Sequence, residues 1–148
     1  MRTLGVEIAG SDSLLIILDG TAKDFKVQLV SPSKLPLPAA GSEVDQLVAL
    51  KKQMHEVLRS NQVESVGIIR ADQGTSPIRA KVECMIQVAS SEALIPCALV
   101  PSQRVAAAEK RQVSSVAGLG LDHALRAVRP SYLRKAAHCA WSVLNANQ

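Results

Sequence analysis

Apolar and polar residues alternate along Leu4-Gly5-Val6-Glu7-Ile8-Ala9. Leu4, Val6 and Ile8 fall on one side and Gly5, Glu7 and Ala9 on the other, the period of a β-strand. Gly10-Ser11 permits a tight reversal into the apolar run Ser13-Leu14-Leu15-Ile16-Ile17-Leu18, which Asp19-Gly20 closes with a hairpin signal. Phe25-Lys26-Val27-Gln28-Leu29-Val30 then alternates again, so three antiparallel strands are expected to lead the chain. Ser31-Pro32-Ser33-Lys34-Leu35-Pro36-Leu37-Pro38 is expected to be a loop or extended connector, because proline has no N–H to give a sheet ladder or a helix.

The period changes after residue 41. Ser42 is placed to cap a helix with Asp45 three residues on, and Val44, Leu47, Val48, Leu50, Met54, Val57 and Leu58 recur at helical spacing as far as Arg59. That stripe reads as core rather than as a groove for a partner. Val66-Gly67-Ile68-Ile69 predicts a short buried strand, and Gly74-Thr75-Ser76-Pro77 a loop, a cap and a proline at the first helical position. The helix that follows would carry Ile78, Val82, Met85, Ile86 and Ala89 inward, and Leu94 to Val100 returns as a strand stopped by Pro101-Ser102. A helix from Ser102 to about Arg111, a stretch holding Gly118 and Gly120, a helical piece before Pro130, and a helix from Ser131 to about Leu144 complete the order. An antiparallel meander thus runs into a parallel α/β half, and right-handed crossovers would set the first strand beside the fourth in mid-sheet.

Composition narrows the class. With 148 residues, 47% hydrophobic and 20% charged, and a mean hydropathy of +0.14, the chain reads as one domain with a core that needs no staples. Aromatics amount to 2% (Phe25, Tyr132, Trp141), too few for the stacking platforms of sequence-tolerant single-strand binders. Cys84, Cys97 and Cys139 form no C-x-x-C pair and sit among apolar neighbours, as reduced core thiols do. No apolar run reaches about eighteen residues, and Glu7 interrupts any early signal core, so a soluble cytoplasmic protein is expected. The net charge of +4 is lopsided. Residues 1–100 hold ten Lys/Arg against eleven Asp/Glu, whereas residues 101–148 hold seven against two. Arg104, Lys110, Arg111, Arg134 and Lys135 are therefore candidate phosphate-backbone contacts, the plainer alternative being solvated helix faces.

No G-x-x-x-x-G-K-[ST], G-x-S-x-G or H-E-x-x-H run occurs, which lowers nucleoside-triphosphate, serine-hydrolase and zinc-protease readings. The backbone N–H groups of Gly74-Thr75-Ser76 could receive a phosphate, although ordinary capping explains them equally well. Glu7 is the residue of most interest. A carboxylate on a central strand must be solvated at a cleft, paired with a cation, or protonated, since uncompensated burial costs several kcal/mol.

Four stretches in this order resemble the ribonuclease H-like superfamily, in particular its Holliday-junction resolvase (RuvC-like) branch and uncharacterised bacterial relatives. They are Leu4-Gly5-Val6-Glu7, Val66-Gly67-Ile68-Ile69 with the later Ala80-Lys81-Val82-Glu83, Val100-Pro101-Ser102-Gln103-Arg104-Val105, and Arg134-Lys135-Ala136-Ala137-His138-Cys139-Ala140. The resemblance implies a ribonuclease H-like α/β domain over residues 1–148. Its five-stranded mixed sheet, three antiparallel strands then two parallel, would be flanked by helices. It also implies Mg²⁺ chemistry on nucleic acid and a homodimer. Active members carry an acid in the first strand, one at the end of the fourth, and a pair on the last helix. Glu7 matches the first. Ile69 or Arg70 stands at the second position, with Asp72 the nearest carboxylate. Lys135 stands where the first helix acid belongs and His138 at the second. Glu7, Asp72 and His138 are thus the candidate metal and catalytic set. Two-metal hydrolysis needs several carboxylates to offset two cations, and Lys135 or Arg70 in such a pocket would repel them. The sequence therefore points to a degenerate metal site and to weak or absent nuclease activity, with two fates open to Glu7: a metal, or an ion pair with Lys135. An active Mg²⁺-dependent endonuclease and a non-catalytic protein-interaction domain remain the alternatives.

Overall fold

The computed structural model describes residues 1–114 and 131–147. Strands β1 (Arg2–Ala9), β2 (Asp12–Gly20) and β3 (Phe25–Leu35) are followed by α1 (Glu43–Ser60), β4 (Ser65–Ile69), α2 (Pro77–Glu92), β5 (Cys97–Val100) and α3 (Ser102–Ser114). A single 3-10 turn, Ser131–Leu133, leads into α4 (Arg134–Ala146). The sheet order is β3-β2-β1-β4-β5. β1 and β3 run antiparallel to β2, whereas β1, β4 and β5 are mutually parallel, so the expected ribonuclease H-like architecture is present. The expected Gly118/Gly120 stretch and the helical piece before Pro130 lie outside the described residues.

The alternation in β1 divides the core. Leu4, Val6 and Ile8 join Leu15 and Ile17 of β2 beneath Leu50, Met54 and Leu58 of α1 and Val82 and Ile86 of α2. On the opposite face, Ile16 and Leu18 pack on Leu133, Ala136, Ala137, Ala140 and Leu144. Gly5 and Gly67 are neighbours across the β1–β4 pair and form a floor for α4. A Cβ on Gly5 would lie 1.9 Å from the carbonyl oxygen of Ala136, and one on Gly67 2.7 Å from Cγ2 of Val143. Only residues without side chains let the helix backbone come this close.

Several expectations need correction. The proline-rich connector is partly strand, because β3 continues through Ser31, Pro32, Ser33 and Lys34 to Leu35. β3 is an edge strand, and its register slips: β2 advances two residues from Leu14 to Ile16 while β3 advances five from Lys34 to Leu29. Such a bulge at an edge tolerates a residue that cannot donate. The β2–β3 turn is closed by Thr21 N–H donating to Asp24 O (2.7 Å), just beyond Asp19-Gly20. Val44 and Val48 of the α1 stripe are exposed, because only its later turns lie over the sheet. Ser76 makes no side-chain cap bond, whereas Ser42 and Asp45 form the expected reciprocal box. β5 starts at Cys97, and Leu94 is 91% exposed at positive φ. Cys84 is exposed, Cys97 intermediate and Cys139 buried; burial pushes the Cys139 thiol up to about 12, so it stays neutral. Among the described residues, no helix is long and apolar enough to cross a membrane.

Candidate functional site

The parallel strands β1, β4 and β5 all end at one edge of the molecule, the edge at which open α/β sheets present their crevices. A cleft of about 450 Å³ opens there. Glu7 comes from β1, Ile69 from the end of β4 and Asp72 from the loop that follows it. Arg79 comes from α2, Ser102, Ala106 and Glu109 from α3, and Lys135 from α4. Glu7 reaches this cleft because it shares a strand face with Gly5, two residues beyond the point where the α4 backbone covers that glycine.

Burial raises the Glu7 carboxyl above its ordinary value. Lys135 and Arg79 pull it down and Glu109 pushes it up, but desolvation is the largest effect and the net direction is upward. Lys135 thus acts on Glu7 through space. Among the described residues, the expected Glu7–Lys135 ion pair is not formed, and neither Glu7 nor Arg79 joins any other. Asp72 is anchored differently, since Ser102 Oγ lies 3.2 Å from each of its carboxylate oxygens. Its carbonyl accepts from Thr75 Oγ1 at 2.9 Å, and Ala71 N–H donates to Glu83 Oε2 at 2.8 Å. Glu83 of α2 is 9% exposed and pins the loop that carries Asp72.

The sequence profile of a family described as "Protein of unknown function (DUF3010)" matches residues 1–139. The chain belongs to that family. No curated protein matches it. Among solved structures, this DUF3010 chain is similar to Thermus thermophilus RuvC in complex with a Holliday junction substrate. That match has a TM-score of 0.73 at 15% identity over 99% of this chain and 95% of that one. A second Thermus thermophilus RuvC structure gives 0.72 at 16% identity, over 99% and 96%. The yeast mitochondrial Holliday junction resolvase Ydc2 gives 0.53 at 13% identity, over 97% and 79%. At these identities the likeness establishes the ribonuclease H-like, RuvC-like fold.

Of the residues singled out in the DUF3010 sequence, Glu7, Asp72 and Lys135 line the cleft and His138 does not. The run Ala136 to Ala140 is packed on the sheet, and His138 is fully buried with it. Its Nδ1 lies 2.7 Å from the Arg134 carbonyl, an acceptor, so Nδ1 carries the proton. The expected trio of Glu7, Asp72 and His138 is therefore not assembled. Among the described residues, no three of His, Cys, Asp and Glu are grouped so as to hold a metal ion. The donor set that does face the cleft, Glu7, Asp72 and Glu109, shares it with the cations Arg79 and Lys135. Fixed positive charges among so few acids do not fit a resident divalent ion.

Two charged cleft residues, Arg79 and Glu109, went unread in the sequence. Glu109 was within reach, since Ser102, Ala106 and Glu109 follow the i, i+4, i+7 spacing of one helix face and all line the cleft. Arg79 carried no such signal, because its neighbours here come from other elements. Of the basic candidates, Lys135 alone is in the cleft, and Arg70 lies outside its lining. Arg104 and Arg111 border a separate groove of about 240 Å³ between α3 and α4, together with Trp141 and Asn145. Lys110 and Arg134 are exposed on α3 and α4.

Proposed function

We propose that this chain is a single RuvC-like domain that binds nucleic acid and whose metal site is degenerate, so that cleavage is weak or absent. The observation that carries the reading is the company of Glu7: the acid of the central strand faces Lys135 and Arg79 where a metal-dependent nuclease needs further carboxylates. Support for nucleic acid comes from the fold, since one structural neighbour is described with a Holliday junction, and from the basic residues of α3 and α4, Arg104, Lys110, Arg111, Arg134 and Lys135. A homodimer is the assembly the resemblance implies, and the cytoplasm is the location expected from the chain's lack of a long apolar run. A second reading, an active Mg²⁺-dependent endonuclease, draws on the presence of Glu7, Asp72 and Glu109 in one cleft.

Incubation with Mg²⁺ or Mn²⁺ on four-way junctions, flaps and RNA/DNA hybrids separates the two. Binding that weakens steeply with salt, with no product, is the expected result. Robust metal-dependent cleavage abolished by Glu7→Ala overturns it in favour of the nuclease. Absence of binding to every substrate at low salt leaves the third class, a protein-interaction domain.

A further inference from the structure

We infer that the cleft seats a backbone phosphate directly on Arg79 and Lys135, with no divalent ion between protein and nucleic acid. The inference rests on the nucleic-acid reading above and adds how the ligand is held. Its first support is the position of the two cations. They come from different helices, α2 and α4, line one cavity, and both act on the Glu7 carboxylate that lines it with them. A metal-dependent site of this fold would place cations at that point as exchangeable ions; here positive charge is built into the chain.

The second support is the state of Arg79. Its Nε is buried and has no hydrogen-bond partner among the described residues. A buried donor without an acceptor is costly, and a turn of the Arg79 side chain into the cleft it lines would bring that donor to an arriving acceptor. The planar fork of a guanidinium matches two phosphate oxygens, and a lysine ammonium in the same lining supplies a point charge. Lys135 is exposed and forms no ion pair among the described residues, so its ammonium is available.

The acids in the cleft must be reconciled with an anionic ligand. Asp72 is engaged by the Ser102 hydroxyl. Glu7 faces Lys135, Arg79 and Glu109, and burial already disposes it to hold a proton. An arriving phosphate adds negative charge beside Glu7 and pulls a proton onto it. Phosphate binding is thus opposed by ionised Glu7 and favoured by neutral Glu7. A metal site has the reverse requirement, because its carboxylates must be ionised to bind.

The two mechanisms therefore differ in sign for one substitution. The full chain is titrated against a labelled four-way DNA junction, with a linear duplex as second probe, by fluorescence anisotropy in EDTA and in Mg²⁺ at matched ionic strength. Equal affinity in the two buffers is expected. Glu7→Gln should tighten binding roughly three- to tenfold at pH 8, and the gain should shrink as the pH is lowered. Arg79→Gln and Lys135→Gln should each weaken it about tenfold and lower the salt slope by about one. Lys52→Gln, on α1 across the sheet, should change nothing. A gain of affinity in Glu7→Gln cannot come from misfolding, and thermal melts control for it in the two cation variants. Loss of binding in EDTA or in Glu7→Gln overturns the inference, as does junction binding that survives both cation substitutions; in each case nucleic-acid binding itself stands. A wild-type chain that ignores both probes at low salt removes the nucleic-acid reading and this inference with it.

Discussion

At position 5 a single hydrogen decides where α4 can lie. A Cβ there would meet the Ala136 carbonyl at 1.9 Å, which is backbone and cannot swing away, whereas at Gly67 the first obstacle is a flexible valine methyl at 2.7 Å. Gly5→Ala should therefore cost at least the upper end of the about 1–3 kcal/mol that overpacking carries, and Gly67→Ala less, as urea unfolding of the two variants would show. Two residues on, Glu7 ties stability to pH. Its carboxyl binds a proton more readily in the folded chain than in the unfolded one, against the opposing pull of Lys135 and Arg79 and with the help of Glu109. Between the unfolded and the raised folded value the native state holds more protons, so this residue's contribution to stability falls as pH rises through that window. Glu7→Gln should accordingly melt higher than the wild type at about pH 8 and alongside it near pH 3, below the carboxyl's value in either state. Equal melting at both would show that Glu7 is fully solvated. Glu7 was legible in the sequence because strand alternation fixes its face. Arg79 was not, since nothing local in α2 says which residues of β1 and α4 it will meet.

Elements show where pattern suffices and where it misleads. The reciprocal bonds of Ser42 and Asp45, 3.1 and 3.2 Å, could be read from spacing alone because a capping box is a local geometry. Ser42→Ala should lower stability by about 1 kcal/mol. The apolar stripe of the same helix was over-read: Leu50 and Met54 are fully buried, whereas Val44 is 68% exposed. Periodicity identifies the face of a helix, but not how far along its axis the sheet extends beneath it. Leu50→Ala should thus cost about 2–5 kcal/mol and Val44→Ser stay within about 0.5, a contrast that chemical denaturation of both variants measures directly. The same lack of long-range information hid the extension of β3. Proline content argued against a strand, and only the sheet order, with β3 at the edge, shows why the argument fails there.

The whole molecule joins these scales through the direction of its strands. β1, β4 and β5 run parallel, so their carboxyl ends converge, and α2, α3 and α4 each contribute a polar residue to the cleft that results. The order of hydrophobic segments made that topology legible, because few architectures accommodate a meander followed by parallel crossovers. Which charges meet in the cleft depends on tertiary placement, and that decides whether the fold retains a divalent ion. Three acids opposed by Arg79 and Lys135, with no three metal-binding side chains grouped among the described residues, should hold Mg²⁺ no better than bulk solvent does. Ligand linkage makes the consequence measurable. An ion at about 100 times its dissociation constant stabilises a fold by about 2.7 kcal/mol, which in a chain of this size raises the melting temperature by roughly 5–10 °C. Titration with Mg²⁺ or Mn²⁺ to about 10 mM, against NaCl at equal ionic strength, should leave the melting temperature of this protein within about 1 °C. A rise of the larger size, lost in Glu7→Gln, would mean that Glu7, Asp72 and Glu109 close around an ion in spite of the two cations, and would restore the nuclease reading.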